Sequence, residues 1–325
     1  MKNIAIVCGG YSGEFEISMQ SAKLVKEHLD DEKYNAYVIV IEKDNWHYTN
    51  NEGASFSVDK DTFSLNLETG VVFFDAVFNA IHGTPGEDGK LQGYLDMLGI
   101  PYTSCGPDSS ALTFNKFYCN AFVGSYGLNL AQSLSFVKGE NIDKDFVSEK
   151  LGLPLFIKPV RSGSSVGISK VNTLSEFDTA VNEAFAADSR ILIEEFIEGR
   201  ELACGLVQNG SQLVVFPITE IISKKEFFDY EAKYTKGLAN EVCPAENLSE
   251  EVESDVKALS SFLFRELNCK GFVRFDYILS KNGLYFLEVN SIPGISEASI
   301  LPLMAKTYGY SLKEFFNIVL GNLFN

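Results

Sequence analysis

Histidine is scarce in this sequence. Its three copies stand far apart, at His28, His47 and His82, which argues against a histidine-built metal centre. The six cysteines, Cys8, Cys105, Cys119, Cys204, Cys243 and Cys269, are scattered and include no C-x-x-C pair. Neither a disulfide framework nor a zinc site is expected from them. Basic residues are outnumbered 27 to 44, leaving a net charge of −17, which argues against a bare nucleic-acid binder. No apolar run approaches the roughly 20 residues of a membrane helix. The apolar stretch from Ile4 to Cys8 is too short for a signal-peptide core and is closed by Gly9 and Gly10. It reads as a buried strand entering a tight turn, in a cytoplasmic protein with no membrane partner. Internal repeats and low-complexity linkers are also missing.

What is present suits a folded chain of more than one domain: 325 residues, 46% of them hydrophobic. The first hundred residues alternate strand and helix. Strands are expected at 3–8, 36–41 and 71–81, and helices at 17–29 and 89–98. The unbroken apolar run 36–41 reads as a strand buried on both sides, and the alternation predicts a parallel sheet covered by helices. A second unit begins near Cys105. Phe114, Phe117, Tyr118, Ala121 and Phe122 recur at helical spacing, with Asp108 or Ser109 as cap. Strands near 133–137, 154–158, 166–171 and 190–195 then make an α+β unit. In the last third, Val252, Val256, Leu259 and Leu263 form a helical stripe that opens at Ser249. Two strands flank Lys281-Asn282-Gly283, and helices close the chain.

Those two strands carry a pattern with chemical content. Phe272, Arg274, Asp276 and Ile278 share one face by alternation, as do Leu284, Phe286, Glu288 and Asn290. Polar groups inside apolar strands are costly unless satisfied. A buried ion pair with Arg274 is the plain reading. The sharper one is a magnesium site built from two carboxylates and an amide oxygen, the hard donors such an ion takes. If Asp276 faces Glu288 in an antiparallel hairpin, Arg274 faces Asn290 and the turn centres on Asn282. The loop then has an odd number of residues. Three are expected, Lys281 to Gly283 with Gly283 left-handed, or five. A direct two-residue turn without a compensating bulge would split the ligands between faces.

Other segments are less specific alone. Lys158 to Gly167 follows an apolar strand, and its small residues let backbone amides approach phosphate oxygens while Lys158 adds charge. It is not a P-loop, and such turns are more often plain flexible loops. Gly9 to Glu14 is a strand–turn–helix start that also suits a dinucleotide, without a complete G-x-G-x-x-G. Ile191 to Ile197 is a strand ending in acids. Phe227 to Tyr234 is charged and aromatic and suits either a surface segment or a closing lid.

Together these segments resemble the D-alanine–D-alanine ligases of the ATP-grasp superfamily. The resemblance runs through GGYSGEFEIS from Gly9, AIHGTPGEDGKLQG from Ala80 and SALTFNK ending at Lys116. It continues through IKPVRSGSSVGISK from Ile157, FFDYEAKY ending at Tyr234, FVRFD ending at Asp276 and LEVNSIPGISEASILP from Leu287. It spans nearly the whole chain, in order. It implies a three-domain α/β and α+β fold: an N-terminal parallel-sheet domain (1–104), a central ATP-grasp subdomain (105–193) and a C-terminal one (194–325).

ATP is implied between the last two. Lys116, Lys158, Gly163, Ser164, Ser165 and Val166 would meet its phosphates, Glu194, Glu195, Phe196 and Ile197 its base, and Glu201 its ribose, with Phe227 a further ATP contact. Asp276, Glu288 and Asn290 would hold two Mg²⁺, for which Mn²⁺ can substitute, with room for a monovalent cation. Glu14 would take the ammonium of the first D-alanine in a network with Ser164 and Tyr234, His82 supporting it. Lys233, Ser299 and the Ile300 amide would hold the second carboxylate, and Arg274 and the Gly294 amide the oxyanion. A homodimer working in peptidoglycan synthesis is implied too.

Serines at 291 and 296, where threonine is common in the family, and a short hairpin turn are the departures. Neither removes a side chain assigned to chemistry. The rival readings are joining of D-alanine to D-serine or D-lactate, a non-catalytic nucleotide-binding regulatory module, and a nicotinamide-dependent oxidoreductase resting on the Gly9-Gly10 turn alone.

Overall fold

Strand β1 (Lys2–Gly9) buries nearly every residue and pairs in parallel with β2 (Tyr34–Ile41) on one side and β7 (Ala76–Asn79) on the other. These coordinates, a computed structural model, describe residues 1–163, 166–223 and 239–324. Helix α1 (Phe15–His28) covers the parallel part with Ile17, Ala22, Leu24 and Val25. The parallel expectation holds only here. Residues 46–73 form an antiparallel meander, β3 (Trp46–Thr49), β4 (Ser55–Asp59), β5 (Ser64–Leu67) and β6 (Gly70–Phe73). The sheet order is β6-β5-β4-β3-β2-β1-β7. The run expected as one strand over 71–81 is thus two, β6 and β7, broken at Phe74–Asp75. Strand β2 is only half buried, because helices do not cover both of its faces to the end. Helix α2 (Lys90–Leu98) falls where expected.

The helix expected around Phe114 to Phe122 is also two, α3 (Pro107–Phe114) and α4 (Lys116–Gly124). Asn115 breaks it. Its backbone is extended and its side chain accepts the Tyr118 amide, which caps α4. Pro107 starts α3, and Ser109 donates to the Asn268 carbonyl instead of capping. The buried face of α4 is Cys119 and Val123, not the aromatic stripe; Tyr118 is exposed and Phe117 lies under the Arg190 guanidinium.

A four-stranded antiparallel sheet follows, ordered β10-β9-β11-β8. It comprises β8 (Ser133–Val137), β9 (Leu155–Pro159), β10 (Ser169–Val171) and β11 (Arg190–Glu195). Leu155, Ile157, Ile191 and Ile193 pack under α5 (Lys144–Leu151) and α6 (Leu174–Ala187). By alternation Phe156, Lys158 and Glu194 face the other way.

The last sheet runs β15-β14-β12-β16-β17, with β13 (Gln212–Val215) beside β12 (Arg200–Asn209). The remaining strands are β14 (Thr219–Ser223), β15 (Ala239–Val242), β16 (Phe272–Ser280) and β17 (Gly283–Asn290). One face packs on α7 (Glu250–Glu266), capped by Ser249 as expected. The other receives α8 (Ile300–Tyr308) and α9 (Leu312–Gly321). Helix α8 comes in close because residue 205 is glycine: a β-carbon there would lie 2.6 Å from Leu301 and 2.8 Å from Met304. Phe78 of the first sheet packs tilted against Phe272 and edge-on against Phe316, so the N-terminal sheet shares this core.

The β16–β17 hairpin departs from expectation in one informative way. Ser280 pairs with Gly283, so the turn has two residues, Lys281 and Asn282, rather than three. Gly283 does have a positive φ, +114°. Between Tyr277↔Phe286 and Asp276↔Glu288 the register shifts by one residue, leaving Leu287 unpaired in a β-bulge. The bulge restores the pairing of Asp276 with Glu288 and of Arg274 with Asn290. It also moves Leu284 and Phe286 to the opposite face from Glu288 and Asn290, against the simple alternation; Phe286 is buried under α7.

Candidate functional site

A cavity of about 440 Å³ lies between the free face of the central sheet and the polar end of the C-terminal sheet. That size suits a nucleotide. At its inner end Lys116, the first residue of α4, donates to the Ser162 carbonyl at 2.9 Å and lies 3.6 Å from Glu288. Lys158, on β9, is paired with Glu194 on β11, and both are buried. Asn120 of α4 holds the other Glu194 oxygen at 3.3 Å. Glu195 accepts the Gln132 amide at 2.8 Å and so turns the chain into Phe196. Phe196 packs between Phe156 and the Lys170 ammonium. Ser162, Gly163, Ile197, Glu201 and Leu287 to Ser291 complete the wall. Val166, 41% exposed, donates its amide to the Gly163 carbonyl at 3.1 Å and does not line the cavity.

Glu288 and Asn290 share one face of β17 by alternation, and the bulged Leu287 reaches the same cavity beside them. Strand pairing sets Glu201 beside Ile278 and Ala203 beside Asp276, so Glu201 lies on the carboxylate face. Arg274 grips Asp276 with both arms of its fork, 2.7 Å from each oxygen, and Asn290 donates to Asp276 at 3.0 Å. Burial works against the Arg274 charge, but Asp276 and then Glu288 override it and raise its pKa further.

Glu14 starts α1 and is buried against Gly163, whose position leaves no room for a side chain: a β-carbon would lie 2.1 Å from Glu14 Oε2. His82 is buried with both ring nitrogens occupied, Nε2 2.9 Å from Ser21 Oγ and Nδ1 3.1 Å from the Ile292 carbonyl. It does not line the cavity. Ser299 is the N-cap residue of α8 and Ile300 its first residue. The Ser299 hydroxyl accepts the Ser296 amide at 3.0 Å and lies 2.8 Å from where a β-carbon on Gly294 would stand. Ser164, Ser165, Phe227, Lys233 and Tyr234 lie outside the described residues.

Two groups were not singled out from sequence. Arg200 forms a fork–fork pair with Glu220 at 2.7 and 2.6 Å, and both line the cavity. Glu87 is buried, lines the cavity, and accepts the Gly83 amide at 2.6 Å. Burial, then Glu14, pushes its pKa up to about 8. Glu87 sits inside the GEDG stretch; an acid between glycines beside a buried strand was the available signal.

Residues 3–105 match the family model for the D-ala D-ala ligase N-terminus, and residues 122–321 that for the D-ala D-ala ligase C-terminus. This chain belongs to the D-alanine–D-alanine ligase family. A D-alanine–D-alanine ligase of Flavobacterium johnsoniae is 43% identical over 316 residues, 97% of either chain. Among solved structures, D-alanyl-alanine synthetase A of Vibrio cholerae superposes with a TM-score of 0.89 at 30% identity, covering 100% of this ligase and 99% of that chain. The D-alanine–D-alanine ligase of Bacillus anthracis, solved with ATP, gives 0.79 at 25% identity over 100% and 98%. No helix among the described residues is long and apolar enough to cross a membrane.

Proposed function

We propose that this ligase joins two D-alanines to D-alanyl-D-alanine at the expense of ATP, supplying a peptidoglycan precursor in the cytoplasm. One observation carries the reading: a nucleotide-sized cavity ends where two lysines, the Asp276–Glu288–Asn290 set and the Glu14 carboxylate converge. We assign the three units 1–104, 105–193 and 194–325 to first-substrate binding and the two halves of nucleotide binding, and infer a homodimer from the family.

A carboxylate does not condense with an amine in neutral water, and phosphorylation gives it a leaving group. The first D-alanine, its ammonium against Glu14, attacks the γ-phosphate with its carboxylate oxygen, giving D-alanyl phosphate and releasing ADP. Lys116 and Lys158 neutralise the transferring charge, which is the main demand of phosphoryl transfer. For Lys158 this means exchanging Glu194 for phosphate, which frees a Glu194 oxygen for the exocyclic amine of adenine. The second D-alanine, its carboxylate at Ser299 and the α8 N-terminus, then attacks through its amine. Arg274 and the Gly294 amide stabilise the tetrahedral oxyanion, and phosphate leaves. Closure of the 227–234 segment would keep water from the acyl phosphate.

The donor set fits a hard divalent cation. The bulged register brings Asp276 opposite Glu288 with Asn290 on the same face. Among the described residues no cluster of three His, Cys, Asp or Glu side chains is placed to hold a metal, so the amide oxygen of Asn290 is needed as a third donor. Asp276, Glu288 and Asn290 would hold Mg²⁺, which supplies charge neutralisation at the β- and γ-phosphates.

The test is phosphate release from ATP and Mg²⁺ with D-alanine, L-alanine or no amino acid, and the product weighed by mass spectrometry. D-alanine-dependent release with dipeptide supports the reading. Release only when D-serine or D-lactate joins D-alanine changes the second substrate, and ATP binding without release moves the chain to a regulatory role.

A further inference from the structure

Ile292 meets the N-terminal unit through both of its backbone groups. Its carbonyl lies 3.1 Å from His82 Nδ1, and its amide is close enough to the Glu87 carboxyl to act against the rise in that group's pKa. A carbonyl only accepts, so Nδ1 carries the proton and donates, while Nε2 accepts from the Ser21 hydroxyl at 2.9 Å. Burial lowers the His82 pKa, which keeps the ring neutral and this tautomer in place.

Both clamping residues come from the one turn that also fixes the Glu14 loop. Ser12 Oγ donates to the His82 carbonyl at 2.9 Å, and the Tyr11 amide to the Thr84 carbonyl at 2.8 Å. A β-carbon on Gly83 would come within 2.7 Å of Ser12, so the two loops are in hard contact. On the other side, Ile292 stands two residues after Asn290 and two before Gly294. Pro293 between them has a fixed φ and carries the constraint forward.

We propose that His82 and Glu87 are positioning residues, a two-sided clamp on Ile292 that sets the Glu14 loop against the Asn290–Gly294 segment. The inference rests on the ligase reading. It adds that the reacting ends of the two substrates are registered by an inter-domain bond to the backbone rather than by either site alone. A misplacement of about 1 Å far from the chemistry costs about 10²-fold in rate.

The experiment compares Glu87→Ala, Glu87→Gln and the wild-type chain. Glutamine keeps an acceptor oxygen for the Ile292 amide; alanine does not. Glu87→Ala should lower kcat about 10²-fold, raise the KM for D-alanine, leave the KM for ATP within about twofold, and release more phosphate per dipeptide. Glu87→Gln should recover most of the rate. Amide exchange at Ile292 in the ligand-free chain should be fast in Glu87→Ala and protected in the other two. Should Glu87→Ala fail to fold, His82→Asn (whose amide nitrogen can stand for Nδ1) against His82→Ala makes the same comparison from the carbonyl side. The clamp is overturned if Glu87→Ala keeps wild-type turnover, if its Ile292 amide stays protected, or if glutamine fails to rescue. The exchange arm needs no substrate, so it judges the clamp even if the wild-type chain makes no dipeptide.

Discussion

Gly163 and Glu14 occupy one another's space: the missing β-carbon of the glycine is the room in which the carboxylate sits, 2.1 Å from where that carbon would be. Glu14 belongs to the N-terminal unit and Gly163 to the central one. Glu14 is buried, so its side chain cannot swing aside freely. Gly163→Ala should therefore displace Glu14, raise the KM for D-alanine and cut turnover by roughly 10²-fold. Varying D-alanine and ATP separately checks this; an unchanged KM for D-alanine would show that the contact does not shape the substrate site.

Arg274→Ala should have two separable effects. Turnover should fall by about 10²–10³-fold with the loss of an oxyanion donor. Stability should fall by about 3–5 kcal/mol, because Asp276 keeps a buried charge without its partner. Urea unfolding and kcat measured on Arg274→Ala and on the Arg274→Ala, Asp276→Ala pair distinguish them. The double variant should regain stability and remain inactive.

Glu87 gives a pH signature. In the unfolded chain it ionises near 4.5, in the folded one near 8, raised by burial and then by Glu14, with the Gly83 and Ile292 amides and Lys116 opposing. His82, neutral beside it, adds no charge. Between those values the folded state binds the extra proton, so the stability this group contributes is full below about pH 4.5 and is lost as pH rises through about 8. Thermal melts of the wild-type chain should decline over this interval relative to Glu87→Gln. Parallel curves would show that Glu87 ionises normally.

How much of this could be read beforehand differs by element. Alternation found the Asp276–Glu288 and Arg274–Asn290 pairs because period two holds along β16 and again from Glu288 to Asn290, beyond the bulge. It missed the bulge because an unpaired Leu287 resembles any other strand leucine until its partner strand is known. The break between α3 and α4 was hidden because Asn115 stands within a helical apolar spacing that tolerates one extended residue. The meander 46–73 escaped because its strands are short and half exposed, with little alternation to detect. Lys116, Lys158, Glu194 and Glu14 were legible through the family resemblance; the structure brings the first three to one cavity and packs Glu14 against Gly163 in its wall. The bond of His82 to Ile292 spans 210 residues, and no local pattern carries a contact of that kind.

Deleting Leu287 tests the hairpin directly. With the two-residue turn kept, Glu288 would follow Phe286 and still fall opposite Asp276, and Asn290 opposite Arg274, now without a bulge. The variant should keep Mg²⁺-dependent phosphate release and most of its circular dichroism. Lost release would mean that the bulge itself, and not only the pairing it accommodates, shapes the site.

The bulge also ties the turn to the spacing of the ligands over evolutionary time. The eleven residues between Asp276 and Glu288 keep that pair in two ways, a two-residue turn with one bulged residue or a three-residue turn with none. A lineage that holds this spacing and widens the turn by one residue gives up the bulge in the same step. Length at the tip and irregularity near the base are thus tied, and relatives of this spacing should fall into two discrete hairpin types with no gradual series between them.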